Sequence, residues 1–154
     1  MTQDYIKTLR QKVGHEPIIL NFAGGILAND QNKILLQKRS DFNAWGLPGG
    51  ALEFGESAQE TCVREFLEET GLKVKVKSLL GVSTNFIQHY PNQDVAQALT
   101  IEFIVELIEK TSKEISAETL DLKYFPKDKL PEIFNKQHQL FIDHYFNEDY
   151  PFIN

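Results

Sequence analysis

Three glutamates, Glu65, Glu68 and Glu69, stand three and four positions apart in the segment AQETCVREFLEET, residues 58–70. At about 100° per residue this spacing places them on one arc of a helix, with Val63, Phe66 and Leu67 opposite as an apolar stripe. The reading turns all three carboxylates outward from the core. Like charges at these spacings each cost a few tenths of a kcal/mol. Glu68 and Glu69 also fall in the last turn, where the helix dipole disfavours negative charge by roughly 0.3–1 kcal/mol. Folding alone would place Lys or Arg there. Hard divalent cations take oxygen ligands, and a rigid helix offers several carboxylates together, so the pattern points to Mg²⁺, or Mn²⁺ in its place. The ordinary alternative is a solvated acidic face, which is the commoner fate of an isolated glutamate trio.

The elements around this helix are legible from local signals. Ser57 and Glu60 form a capping box that starts a helix near Ala58, and Gly71 is placed to end it as a left-handed cap after Thr70. The stretch from Ser40 to Gly55 reads as a Gly-rich loop containing Trp45 and Pro48. Before it, Ile18–Ala28 and Lys33–Arg39 read as strands joined by the turn Asn29–Asn32, which together resemble a hairpin. Gly24 and Gly25 in the first strand imply a bulge or a close approach. Tyr5, Ile6, Leu9 and Val13 mark a short N-terminal helix ended by Gly14. Downstream, Val74 and Val76 lie in an alternating segment, and Val82–Tyr90 reads as a further strand. Ala98–Glu109 alternates Leu99, Ile101, Phe103, Val105 and Leu107 with a second row that holds Thr100, Glu102 and Glu106. Leu120–Phe125 follows as another strand. A final helix starts at Pro131 with Ile133, Phe134, Gln137, Phe141 and Tyr145 along one stripe. Helices scattered among strands predict an α/β fold with a mixed β-sheet between helices, in a single domain spanning residues 1–154.

Composition bounds the function. With 42% hydrophobic and 25% charged residues, the chain is ordinary for a globular protein. A formal net charge of −6 argues against a broad nucleic-acid surface, which needs a basic patch. It leaves room for a phosphorylated small molecule, because a bound divalent cation reverses the local sign. A single cysteine forms no internal disulfide and fits a reducing cytoplasm. The N-terminal stretch is polar and lacks the apolar core of a signal peptide, and no apolar run reaches membrane-spanning length. The expectation is a cytoplasmic protein that uses neither membrane nor nucleic acid. The aromatic tail from Phe141 to Phe152 suits either a homodimer contact or packing on its own core.

Taken whole, Gly50, Glu56, Arg64, Glu65, Glu68, Glu69, Gly71 and Leu72 match the pattern GX5EX7REUXEEXGU at every fixed position. The chain thus resembles the Nudix hydrolases, the MutT-like family, with its box at residues 50–72. The preceding WGLPGG, Trp45 to Gly50, also resembles the family's loop into the box. Phe66 departs mildly from the usual Ile, Leu or Val, a difference expected to alter packing rather than chemistry. The resemblance implies an α/β/α sandwich and water attack on a diphosphate phosphorus, helped by one to three divalent ions. It implies Glu65, Glu68 and Glu69 as metal ligands with the Gly50 carbonyl, and Arg64 as the partner that orients them. Glu56 braces the loop or reaches a metal through water. The general base is a box glutamate or a later-loop carboxylate, for which Glu118 occupies a similar position. The catalytic candidates are therefore Glu65, Glu68, Arg64 and Glu118.

Other residues are weaker candidates. Arg39, just before the loop, is a candidate for substrate phosphate, against plain solvation. Tyr90 and Trp45 are candidates to stack on a base, against ordinary packing. Cys62 reads as a small packing residue. His15, His89, His138 and His144 show no metal-ligand spacing. Ser83–Ala96, with Phe86, His89, Tyr90 and Asn92, reads as a specificity loop. The expected substrate is a nucleoside diphosphate linked to another moiety: ADP-ribose-like, a nucleotide sugar, a nucleoside triphosphate or a dinucleoside polyphosphate. The alternative is a non-catalytic nucleotide-binding or sensing module of the same fold, although such a module is expected to lose box glutamates and this chain keeps them. EF-hand and P-loop patterns are missing from the sequence.

Overall fold

The computed structural model describes residues 4–154. Its central helix, α2 (Ala58–Thr70), forms as its sequence dictates. The Ser57 hydroxyl accepts from the Glu60 amide at 3.1 Å while the Glu60 carboxylate accepts from the Ser57 amide at 3.3 Å. Gly71 ends the helix at φ 72°, a left-handed conformation that costs glycine no Cβ clash, and donates its N–H to the Leu67 carbonyl. The buried face differs from the expected stripe. Phe66 is fully buried, but its companions are Thr61, Cys62, Glu69 and Thr70, while Val63 and Leu67 are only half-buried. The helix packs on β1 (Ile18–Leu27), β4 (Gly49–Ala51), β5 (Leu72–His89) and β7 (Thr119–Phe125), so more than one face is covered and Glu69 is turned inward.

Two sheets carry the strands. The larger has the order β4-β1-β6-β5-β8, with β6 at Val95–Lys110 and β8 at Phe152–Ile153. It is mixed: β1 runs parallel to β6, and β8 parallel to β5, whereas β4–β1 and β5–β6 are antiparallel. The smaller, antiparallel sheet has the order β3-β2-β7, with β2 at Ile34–Arg39 and β3 at Ala44–Gly46. Along β1, Ala23 and Leu27 join the cluster under α2 with Cys62 and Phe66. Ile26 joins the other cluster, with Phe141 and Ile142 of α3 (Lys136–Phe146). Helices therefore flank the sheet on both faces, as expected for an α/β sandwich. Among the described residues no helix is long and apolar enough to cross a membrane.

Several expectations are corrected by pairings that local sequence does not encode. The Asn29–Asn32 turn forms, with the Asn29 side chain accepting from the Gln31 and Lys33 amides at 3.0 Å. The strands it joins are no hairpin, however: β1 and β2 touch through one bridge, Ala28–Ile34, and lie in different sheets. The Gly-rich loop contains β3 and β4. Gly24 and Gly25 mark a close approach, because a Cβ on Gly24 would stand 2.4 Å from the Pro48 carbonyl oxygen. The two expected segments after α2 are one long strand, β5, whose register shifts four times along β6. On β6 the row containing Ala96, Ala98, Thr100 and Glu102 is buried, since both faces are covered. The last helix starts at Lys136 rather than Pro131. Asn135 caps it, accepting from the His138 amide at 2.7 Å, and the Phe134 amide is already committed to the Trp45 carbonyl. Short β8 was not expected; Phe152 packs on Gly81 and on the rings of Phe141 and His144.

His138 joins α3 to the loop before the box. Its Nδ1 accepts from the Leu47 amide at 3.0 Å, and burial followed by the charge of Arg39 pushes its pKa down to about 3.

Two outcomes are expected. Phe66→Ala should lower stability by about 3–5 kcal/mol in urea unfolding, as for a truncated core aromatic; a loss below about 1 kcal/mol would contradict its place in the core. His138 contributes stability that is full above the unfolded value of 6.5 and lost as pH falls toward about 3, because only the unfolded chain takes up the proton. In His138→Asn, whose side-chain oxygen can accept from Leu47, acid-side stability should fall less steeply, by up to about 1.4 kcal/mol per pH unit. Parallel pH profiles for the two proteins would contradict a neutral buried imidazole.

Candidate active site

A cavity of about 600 Å³ runs along the larger sheet, past Leu20 and Phe22 of β1 and Ala98, Thr100 and Glu102 of β6. Glu65, Glu68, Glu69 and Glu118 line it, as do Arg39 and Tyr90. Gly50 and Arg64 line it too, whereas Trp45, the other candidate to stack on a base, does not.

Arg64 organises the acidic part. Its Nε donates to Glu56 at 2.7 Å and one terminal nitrogen donates to the same carboxylate at 2.9 Å, a two-pronged pairing. That nitrogen also reaches the Ala51 carbonyl at 3.2 Å, while the other donates to Glu65 at 2.7 Å and Glu68 at 3.4 Å. Glu56 accepts further from the Glu53 amide and the Thr61 hydroxyl, which fixes the loop into the helix. The Arg64 hydrogen bonds hold the Glu56 carboxyl down to about 2 against its desolvation. Glu56 therefore braces the loop, one of its two expected roles.

Glu65 lies against Gly50, where a Cβ would meet its carboxyl carbon at 2.4 Å. Only glycine leaves room for that carboxylate. Burial, opposed by Arg64 and reinforced by Glu68 and Glu118, pushes the Glu65 pKa up. Glu69 is only 5% exposed; it accepts from the Gly49 amide at 2.9 Å and from the Gln37 side chain at 3.0 Å. Burial, then the Glu65 charge, raises it to about 8. The outward orientation expected of all three glutamates thus fails for Glu69, which is braced from beneath by β2 and β4.

Glu118 is exposed at the cavity, and its charge is felt by Glu65. Arg39 is not a lone solvated cation. It pairs with Asp41 at 3.0 and 2.8 Å and its guanidinium sits over the Phe134 ring at 4.4 Å, leaving other N–H groups for a ligand. The Tyr90 ring lies 5.9 Å from that of Phe42 and lines the same cavity. Trp45 packs edge-on against Phe125 in the core. Cys62 is fully buried and its thiol is pushed up by burial, consistent with packing rather than nucleophilic chemistry.

Sequence reasoning missed Gln37, Asp41 and Glu102. Gln37 and Asp41 carry no local signal. Glu102 did: it is an acid in the middle of an apolar strand. Burial and then Glu69 push its pKa well up, and its Oε2 has no hydrogen-bond partner.

Among the described residues, no three His, Cys, Asp or Glu side chains converge closely enough to hold a metal unaided. The donor set nevertheless fits a hard divalent cation. It consists of oxygens, it includes the partnerless Glu102 Oε2, and its crowded carboxylates raise one another's pKa in a way that bound positive charge would relieve.

Comparison with known proteins bears on the family and the fold. The family model of the NUDIX domain matches residues 21–145. An ADP-ribose pyrophosphatase of Methanocaldococcus jannaschii is 42% identical over 111 residues, 67% of this chain and 62% of that protein. A putative 8-oxo-dGTP diphosphatase of Bacillus subtilis is 49% identical over 57 residues, 37% of this chain and 38% of that protein. The matches thus span less than two thirds of these curated relatives. Among solved structures, a NUDIX hydrolase from Nitrosomonas europaea superposes with a TM-score of 0.71 at 22% identity, covering 91% of this chain and 81% of that one. The NUDIX domain of Shewanella oneidensis NrtR, complexed with ADP ribose, gives 0.65 at 22% identity, covering 96% and 99%. These likenesses carry the fold, and the match over residues 21–145 carries the family: the chain belongs to the NUDIX family.

Proposed function

We propose that the protein is a Mg²⁺-dependent pyrophosphohydrolase, with Mn²⁺ able to substitute, that cleaves a nucleoside diphosphate linked to another moiety. The observation that carries this reading is the acidic face of α2, its Glu65 and Glu68 clamped by Arg64, opening with Glu69 into a cavity that also contains Arg39. Glu65, Glu68 and Glu69, with the Gly50 carbonyl, are the groups that would hold the cation. Bound there, the cation would neutralise diphosphate oxygens and acidify a water. Arg64 fixes the carboxylates, so their geometry is set before substrate arrives. Arg39, oriented by Asp41 and Phe134, binds a phosphate oxygen with its remaining N–H groups. Glu118, exposed and unclamped by Arg64, takes the proton of the attacking water. The water oxygen bonds to phosphorus as the bridging P–O bond breaks, releasing two phosphate-terminated products. Tyr90 contributes an aromatic wall for the nucleoside.

An ADP-ribose-like compound is the first substrate to test, supported by the 42% identity to a protein named for that activity. A cytoplasmic location belongs to the same reading and is supported by the single, buried cysteine.

Purified protein incubated with ADP-ribose, nucleotide sugars and nucleoside triphosphates should turn over one of them with Mg²⁺ and none with EDTA, by chromatography of products. Glu65→Gln should remove that turnover. Undiminished cleavage in EDTA, or by the variant, would overturn the assignment. Arg64→Lys cannot reproduce the two-pronged contact with Glu56 and the simultaneous reach to Glu65. It should lower kcat/KM about 10–100-fold, as for residues that orient metal ligands; wild-type kinetics would remove Arg64 from that role.

A further inference from the structure

Glu102 is unexplained by folding. It occupies the centre of β6 between Ile101 and Phe103, is 2% exposed, and leaves Oε2 without a partner. A buried acid in this state destabilises a fold, and a valine or isoleucine would suit the strand better. The polar side chains beside it are matched. Thr100 donates to Gln137, Gln137 donates to the carbonyls of Ala98 and Ser83, and Gln37 donates to Glu69 and Thr119.

Its position is built. Gly24 is the register partner of both Glu102 on β6 and Gly49 on β4, and the Gly49 amide donates to Glu69. A Cβ on Gly24 would stand 2.9 Å from Glu102 Oε1 as well as 2.4 Å from the Pro48 carbonyl oxygen, so only glycine lets the Glu102 carboxylate lie against this point of β1. Glu102 itself lines the cavity that Glu65 and Glu69 also line. The charge of Glu69 reaches Glu102. A phosphate entering there would meet carboxylates, whereas a cation would find uncommitted oxygen.

We propose that Glu102 supplies an inner oxygen ligand to a divalent cation shared with Glu69, extending the metal site from the box helix to the central strand. This rests on the metal-dependent reading above. Neither residue spacing nor the box pattern marks it; it depends on the parallel pairing of β1 with β6.

The test is Mn²⁺ titration of the substrate-free protein, read by calorimetry and by the electron paramagnetic resonance of free Mn²⁺. Wild type, Glu102→Gln and Glu65→Gln are compared, with metal-free melting temperatures. Glu102→Gln keeps the shape while removing the acid. It is expected to melt at or above wild type without metal, and to bind Mn²⁺ at least tenfold more weakly or with one ion fewer. Wild-type affinity and stoichiometry in Glu102→Gln, with binding weakened in Glu65→Gln, would overturn this inference and leave the hydrolase reading standing. A much lower metal-free melting temperature would also overturn it, assigning Glu102 to the fold. No Mn²⁺ binding by wild type would overturn both.

Discussion

The Arg64 guanidinium sits among Glu56, Glu65, Glu68 and the Ala51 carbonyl, and the geometry of the site follows from that one side chain. It ties the helix to the loop that precedes it. It also sets Glu65 against Gly50 and compensates part of the negative charge that α2 accumulates. The planar, always charged fork can meet several oxygens at once, which a lysine ammonium on a flexible stem cannot do in fixed directions. Its hydrogen bonds to Glu56 hold that carboxyl ionised down to about 2, against desolvation, and make Glu56 a fixed anchor of the loop.

What Arg64 leaves uncompensated lies deeper. Glu69 and Glu102 are turned into the protein, where burial, then the charge of Glu65 on Glu69 and of Glu69 on Glu102, favours their neutral forms. Two neutral donors, the Gly49 amide and the Gln37 side chain, satisfy Glu69, but Glu102 retains an unmatched oxygen. The acidic wall is thus graded. Its outer carboxylates are clamped by a cation of the protein itself, and the inner ones are arranged so that added positive charge would stabilise them.

Glycines make this proximity achievable. At Gly50 the missing Cβ admits the Glu65 carboxylate, and at Gly24 it admits Pro48 and Glu102 on one side of the strand. Around them, α2 and α3 cover opposite faces of one mixed sheet, so strands that read as half-exposed are enclosed. The cavity lies where the box end of α2, the β1–β6 pair and the segment capping α3 come together.

Much of this was legible locally. Ser57, Glu60 and Gly71 mark the ends of α2 because capping involves residues within a few positions of one another, and the box spacing named the family for the same reason. The Asn29 turn, the start of β1 and the acidic face near Glu65 and Glu68 were equally readable. Tertiary pairing decided the rest. The hairpin expected between β1 and β2 gave way because β2 pairs with distant β7, from Ile34 with Phe125 to Arg39 with Thr119. The inward turn of Glu69 depended on Gln37 and Gly49 lying beneath the helix, and the burial of the Glu102 row depended on a helix on each face of the sheet. Periodicity reports which residues share a face, whereas the surface that covers a face comes from distant chain. The sequence alone therefore set the ends of α2, its cluster of acids and the family, and the three-dimensional packing decided which acids face water and which are enclosed.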